Sequence, residues 1–423
     1  MDAPRVSLVA PDCSPSNIDC RIDPKFEAQL MRQKYMVLRG PRGLLHTEFR
    51  GGPQVTPAAE ARVTLKTEEL NEREAASLAR GNDVAGLAPA MPMRLISPRN
   101  KHASQDSERG NVTWGVKAVR ADTSPFSGAG IVVAVLDTGI NRDHPAFPKQ
   151  HLDVVEQDFT GEGNGDFEGH GTHCAATIFG RPVEDMRIGV APGISRALIV
   201  KVLGRNGGSS DQIADAVLWA ANQGAQVISL SLGMDFTGYV KRMIDQHHMP
   251  PELATSLALE GYRANVLLFE RLATFIRARA KPVLLVAAAG NESHREIDSE
   301  FEIAVAPPAV SDGFISVAAV GEGPGGLYVA DFSNTGANVA APGVDIVSAD
   351  PLSSGLITMS GTSMATPHVA GVAALWAEKF LRKGPLSLMQ LIGGVVGNAT
   401  LDPMHSDVDP RDVGAGLVQA PQN

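Results

Sequence analysis

Five short apolar runs constrain this chain more than any other feature. They are "IVVAVLD" (Ile131–Asp137), "ALIVKVLG" (Ala197–Gly204), "AQVISLSLG" (Ala225–Gly233), "PVLLVAAAGN" (Pro282–Asn291) and "FISVAAVG" (Phe314–Gly321). Each is apolar without alternation, the pattern of a strand buried on both faces of a parallel sheet. Helical stretches such as "DQIADAVLWAANQGA" (Asp211–Ala225) separate them. Strands and helices in alternation predict an α/β fold with a doubly wound, mostly parallel sheet. In such a sheet, functional residues gather at the carboxyl ends of the strands. The chain has 423 residues, 43% hydrophobic and 20% charged, enough for one large domain and a smaller one.

Polar residues at those carboxyl ends come next. "LDTGI" places Asp137 at the end of the first run, where an Asp either caps turn N–H groups or presents its carboxylate. "EGHGTHCAATI" puts His170 between glycines at a helix start, with His173 three residues on. Two histidines so spaced raise a metal site, but no Glu lies between them as in the zinc-protease helix motif. His173 therefore reads as a packed residue. "AAAGNES" ends in Asn291, a turn residue or an amide donor. "SGTSMATPHVAG" opens a helix at Ser363, with Pro367 four residues later read as a first-turn proline. Alone, Ser363 is an N-cap; beside a base, an orienting acid and an amide donor, it is a nucleophile.

The order Asp137, His170, Ser363, together with "VAVLDTGI", "GHGTHCAATI", "VISLSLG", "AAAGNES" and "SGTSMATPHVAG", resembles the subtilisin-like serine proteases from about Trp114 to about Leu417. The resemblance implies a serine endopeptidase with Asp137, His170 and Ser363 as triad and Asn291 as oxyanion donor. It also implies that Ser231, Leu232 and Gly233, with Ala288, Ala289 and Gly290, line the pocket for the residue before the cut bond. Gly207, Gly208 and Ser209 would pair with an extended substrate. No cofactor is implied. The family's calcium site lacks its ligands here: Ala146 stands where an acid would fall, leaving only Glu184 and Asp185 nearby. The thiol of Cys174, one turn past His170, should lie under the triad.

Upstream, residues 1–34 read as a tail, 35–97 as a small α+β unit and 98–110 as a polar linker before a catalytic domain over 111–423. "ARVTLKTEELNEREAASLARGNDVAGLAPAMP" resembles the second half of the family's inhibitory prodomain, whose last strand enters the cleft. Between Gly40 and Ala61 the family's first helix has no counterpart. Self-cleavage is expected between about Ile96 and Gly110. Over 234–280 the chain is longer than the family's by roughly thirty residues, more than an ordinary connection needs. It predicts a short helix, a Pro250–Pro251 break and a long helix with a core stripe of Leu259, Tyr262, Val266, Phe269 and Ala273, an insertion expected to wall the cleft. The adjacent His247 and His248 cannot share a helix face and are not read as a metal site.

A net charge of −10 argues against nucleic-acid binding, and no apolar run reaches the roughly 20 residues that span a bilayer. Cys13, Cys20 and Cys174 do not make a disulfide framework, although a Cys13–Cys20 bridge is conceivable. With no basic and apolar leader at the start, the expectation is a cytoplasmic enzyme, or a secreted one whose leader has been removed, acting on protein or peptide substrates with its own N-terminal unit in its cleft. The competing reading is a catalytically silent or permanently self-inhibited scaffold that acts by binding.

Overall fold

The computed structural model describes residues 32–40, 63–103, 111–279 and 281–423. The tail with Cys13 and Cys20, the stretch from 41 to 62 and the linker residues 104–110 lie outside the described residues.

Strands β1 (Gln33–Arg39), β2 (Thr64–Leu70) and β3 (Val84–Pro89) form a small antiparallel sheet in the order β2-β1-β3. Helix α1 (Glu72–Leu78) connects β2 to β3, and its start is fixed by a reciprocal capping box between Asn71 and Glu74. The chain then extends through β4 (Pro92–Leu95) and β5 (Asn100–Ala103). Within the expected linker, β5 is thus a strand.

The large sheet and its layers follow in chain order: β6 (Val132–Asp137), β7 (Asp153–Asp158), α2 (His170–Phe179), β8 (Arg196–Lys201), β9 (Gly208–Ser209), α3 (Ser210–Asn222), β10 (Val227–Leu230) and β11 (Leu232–Met234). Next come α4 (Phe236–His247), α5 (Pro251–Arg277), β12 (Leu284–Ala288), β13 (Phe314–Gly323), β14 (Gly326–Val329), β15 (Val339–Pro342), β16 (Ile346–Ala349), β17 (Leu356–Ser360) and α6 (Thr362–Leu381). Eight strands form the sheet β14-β13-β12-β10-β6-β8-β7, with β15 beside β13; only β14 runs antiparallel. The apolar runs are sheet strands because both faces are covered. On β6, Val133 and Val135 enter the core under α2 and α6, while Ala134 and Leu136 enter the core under α3 and α5.

The insertion forms α4 and α5, divided at Pro250–Pro251 as the sequence predicts. Of its expected stripe, Phe269 and Ala273 are fully buried, whereas Leu259 is 49% exposed and the buried line begins with Ala254, Ala258, Gly261 and Asn265 before Leu268 and Leu272. Small residues lead that line because the N-terminal segment approaches closely. A methyl on Gly261 would stand 3.0 Å from Met91 Sδ, and Asn265 Nδ2 donates to Pro89 O at 2.8 Å. The long helix thus supports the small sheet, while Asp235 at the start of the insertion meets Arg94 of β4 in the cleft.

Candidate active site

Asp137 ends β6 and His170 begins α2, so two strand-end loops bring them together. His170 Nδ1 lies 2.8 Å from Asp137 Oδ1, and both side chains are buried. Asp137 Oδ1 also accepts the Thr138 N–H. Burial alone would push the His170 imidazole down. The neighbouring Asp137 carboxylate, aided by the Cys174 sulfur, outweighs that and holds it well above its ordinary value. Cys174 packs under the pair, its Sγ 3.7 Å from His170 Nδ1, and burial pushes its thiol up. These three residues are the sole His/Cys/Asp/Glu group with converging ligand atoms among the described residues. His173 bonds to Ile346 O through Nε2 and is driven down to about 3, chiefly by burial, so it stays neutral in the core.

Ser363 is the second residue of α6, and Pro367 lies inside the helix, beyond its first turn. The physical consequence is local. Pro367 has no N–H to give the Ser363 carbonyl four residues back. That carbonyl instead accepts Ser231 Oγ at 3.1 Å and Cys174 Sγ at 3.4 Å. The proline therefore ties the serine turn to Ser231, between β10 and β11, and to the histidine helix.

Asn291 is oriented by groups from other segments. Its Oδ1 accepts both the Thr362 N–H and Thr362 Oγ1 at 2.9 Å, which turns the Nδ2 amide toward the cleft. The loop carrying it is held by Asn334, fully buried, which accepts Glu292 N and Ser293 N and donates to Ala289 O. Thr362 lay in a quoted motif without a role, and Asn334 had only the turn-like "SNTG" as a signal.

The cleft is filled by the chain's own β4. It is the middle strand of a three-stranded antiparallel sheet, β11-β4-β9. Leu95, Arg94 and Met93 pair with Leu232, Gly233 and Met234; Met93 and Pro92 pair with Gly208 and Ser209. Gly207 has φ +79°, and a methyl there would come within 2.7 Å of Met93 O. Ala288, Ala289 and Gly290 are buried beside the serine turn, with Gly290 N donating to Thr362 Oγ1. Downstream, Arg99 N donates to Ser360 O and β5 pairs with β17.

At the centre, two successive carbonyls meet two different donors. Ser363 Oγ donates to Ile96 O at 3.0 Å, whereas Asn291 Nδ2 donates to Ser97 O at 3.0 Å. His170 Nε2 has no hydrogen-bond partner among the described residues.

Comparison with known proteins agrees with this geometry. The profile of the Subtilase family matches residues 128–399, and the chain belongs to the subtilase family of serine endopeptidases. An intracellular serine protease of Paenibacillus polymyxa is 33% identical over 282 residues, 64% of this chain and 74% of that protein. A thermophilic serine proteinase of Bacillus sp. (strain AK1) is 36% identical over 260 residues, 59% of this chain and 53% of that one. In fold, the chain is similar to the crystal structure of fervidolysin from Fervidobacterium pennivorans, a keratinolytic enzyme related to subtilisin. The TM-score is 0.60 at 23% identity, over 92% of this chain and 60% of that one. The fold is subtilisin-like, and protein or peptide substrates follow from the class. No helix among the described residues is long and apolar enough to cross a membrane.

Proposed function

We propose that Asp137, His170 and Ser363 hydrolyse peptide bonds with Asn291 as oxyanion donor, and that the N-terminal unit holds the enzyme shut as a precursor. In the open enzyme, His170 Nε2 takes the Ser363 Oγ proton as Oγ bonds to the substrate carbonyl carbon. Asp137 fixes the imidazole tautomer through Nδ1. Asn291 Nδ2 and the Ser363 backbone N–H stabilise the oxyanion. The protonated His170 then gives its proton to the leaving amine, and water releases the acyl group by the same route.

The carrying observation is the pair of split carbonyls. Attack requires one carbonyl to sit both at the nucleophile and at the oxyanion donor. Here Ile96 O holds the first and Ser97 O the second. Neither peptide bond is aligned, so the segment binds as a substrate does and resists cutting. Ala146 is buried in the core and offers no oxygen ligand, so the reading includes no resident calcium at that place.

The test is intact mass after exposure to a fluorophosphonate, for wild type and Ser363→Ala, before and after limited digestion removes the residues preceding 111. A single adduct on digested wild type only is expected. Digested wild type without adduct would leave the scaffold reading in its place.

A further inference from the structure

We infer that Asp235 and Glu292 form a specificity clamp that selects substrates with a basic side chain, Arg above Lys, at the position Arg94 occupies. That position is the residue paired with Gly233, two before the residue whose carbonyl meets Ser363 Oγ. The inference rests on reading β4 as the occupant of the substrate groove.

Arg94 Nη1 donates to Asp235 Oδ1 at 3.2 Å and Nη2 to Glu292 Oε1 at 2.9 Å. Both carboxylates are also held by the chain itself. Glu292 Oε2 accepts Asn334 Nδ2 at 2.8 Å, from a side chain with no exposed surface. Asp235 caps α4 by accepting the Gly238 N–H. The two acids are thus placed before any cation arrives. Leaving a substrate with a neutral residue there would bring two partly buried carboxylates together with no counter-charge. A guanidinium fork can reach two separate carboxylates at once, whereas an ammonium is a single point charge, which orders Arg above Lys. The acids come from different sources. Glu292 follows Asn291 directly, and Asp235 is the first residue of the insertion beyond β11.

Two measurements test the clamp, the first on the enzyme opened by limited digestion and the second on the full chain. The first is hydrolysis of acyl-Xaa-Leu-Ile fluorogenic peptides with Xaa as Arg, Lys, Gln or Glu. We expect kcat/KM to favour Arg over Gln by about tenfold, consistent with charged hydrogen bonds in a part-exposed site. The ratio should fall toward one in Asp235→Asn/Glu292→Gln. A wild-type ratio near one overturns the clamp. The second needs no activity: hydrogen exchange of the β4 amides across the cycle of Arg94→Gln and Asp235→Asn/Glu292→Gln. Arg94→Gln should speed exchange in the wild-type background and leave it unchanged when the acids are neutral. Equal acceleration in both backgrounds overturns the clamp. If the opened enzyme cuts no peptide at all, the protease reading fails while the exchange cycle still decides the clamp.

Discussion

Deleting Pro98 should turn the bound segment into a substrate. Upstream, Leu95 opposite Leu232 places the Ile96 carbonyl at Ser363 Oγ. Downstream, Arg99 N on Ser360 O and the pairing of β5 with β17 hold the other end. Between these anchors the chain carries one residue too many for Ile96 O to reach Asn291, and Ser97 O takes that donor. A strand residue spans about 3.3 Å, and a misplacement of about 1 Å at a reacting centre costs on the order of 100-fold. Removing the surplus residue should therefore speed self-cleavage at Ile96–Ser97 by at least about 100-fold over wild type. The bond then presented is an ordinary secondary amide. The assay is a time course of intact mass, looking for a fragment that begins at Ser97, with the Pro98 deletion combined with Ser363→Ala as control. A folded deletion variant that stays whole, or wild type cut at the same bond at the same rate, would falsify the split-carbonyl account.

Two further outcomes are expected. Thr362→Val removes one of the two donors on Asn291 Oδ1 and keeps the backbone N–H. It should lower kcat of the opened enzyme about tenfold, because the oxyanion amide loosens while the Gly290 N–H also loses its acceptor; an unchanged kcat would show that Thr362 does not orient Asn291. Acid should destabilise the fold through His173, pushed down to about 3 mainly by burial, and His368, pushed down to about 4 by burial. In both, the folded pKa lies below the unfolded value of about 6.5, so the unfolded chain binds more protons and stability falls as pH drops from about 6.5 to about 4. His170 is raised instead, so its contribution is already complete below about 6.5 and is lost only as pH rises through its folded value. Asp215, raised to about 6 by burial and by Asp211, gains stability as pH falls from about 6 and cancels part of the loss. The net slope from these groups should be about 1 kcal/mol per pH unit between pH 6 and 4, read from urea midpoints; a flat profile there would show that these histidines are not buried as neutral bases.

The parallel sheet was legible because its strands are covered on both sides, and continuous apolar runs record that directly. The triad was legible for a related reason: strand ends fix Asp137, and helix starts fix His170 and Ser363. Other parts left no local trace. β5 reads as polar linker because its place depends on backbone pairing with β17, which any side chains allow. The stripe on α5 was legible at Phe269 and Ala273 but missed at its start, because hydrophobicity favours Leu259 over Ala258 and Gly261, although a close neighbour admits only the small pair. Pro367 was read as a helix-starting residue, whereas its effect is to free the Ser363 carbonyl. Asp235, Glu292 and Asn334 act on groups far away in sequence, and each alone looks like a residue of a solvated turn.

The same contacts that close the cleft also complete the fold. Met36, Leu38, Ala85 and Ala88 of the small sheet lie in one continuous core with Ala134 and Leu136 of β6 and Leu268, Phe269 and Leu272 of α5. The N-terminal unit is therefore a further layer on the α/β sandwich, and its strand reaches the active site because that layer is packed, not because a linker happens to lie there. Extended backbone in an open groove gains little on its own, since each hydrogen bond contributes only about 1 kcal/mol net and the strand must lose its freedom. Anchoring through an apolar layer changes that balance: β4 is presented at high effective concentration, already extended, by residues that never touch the triad. On the proposed precursor reading, inhibition depends on how firmly the small sheet sits on α5, with the misaligned carbonyls keeping the triad from undoing it.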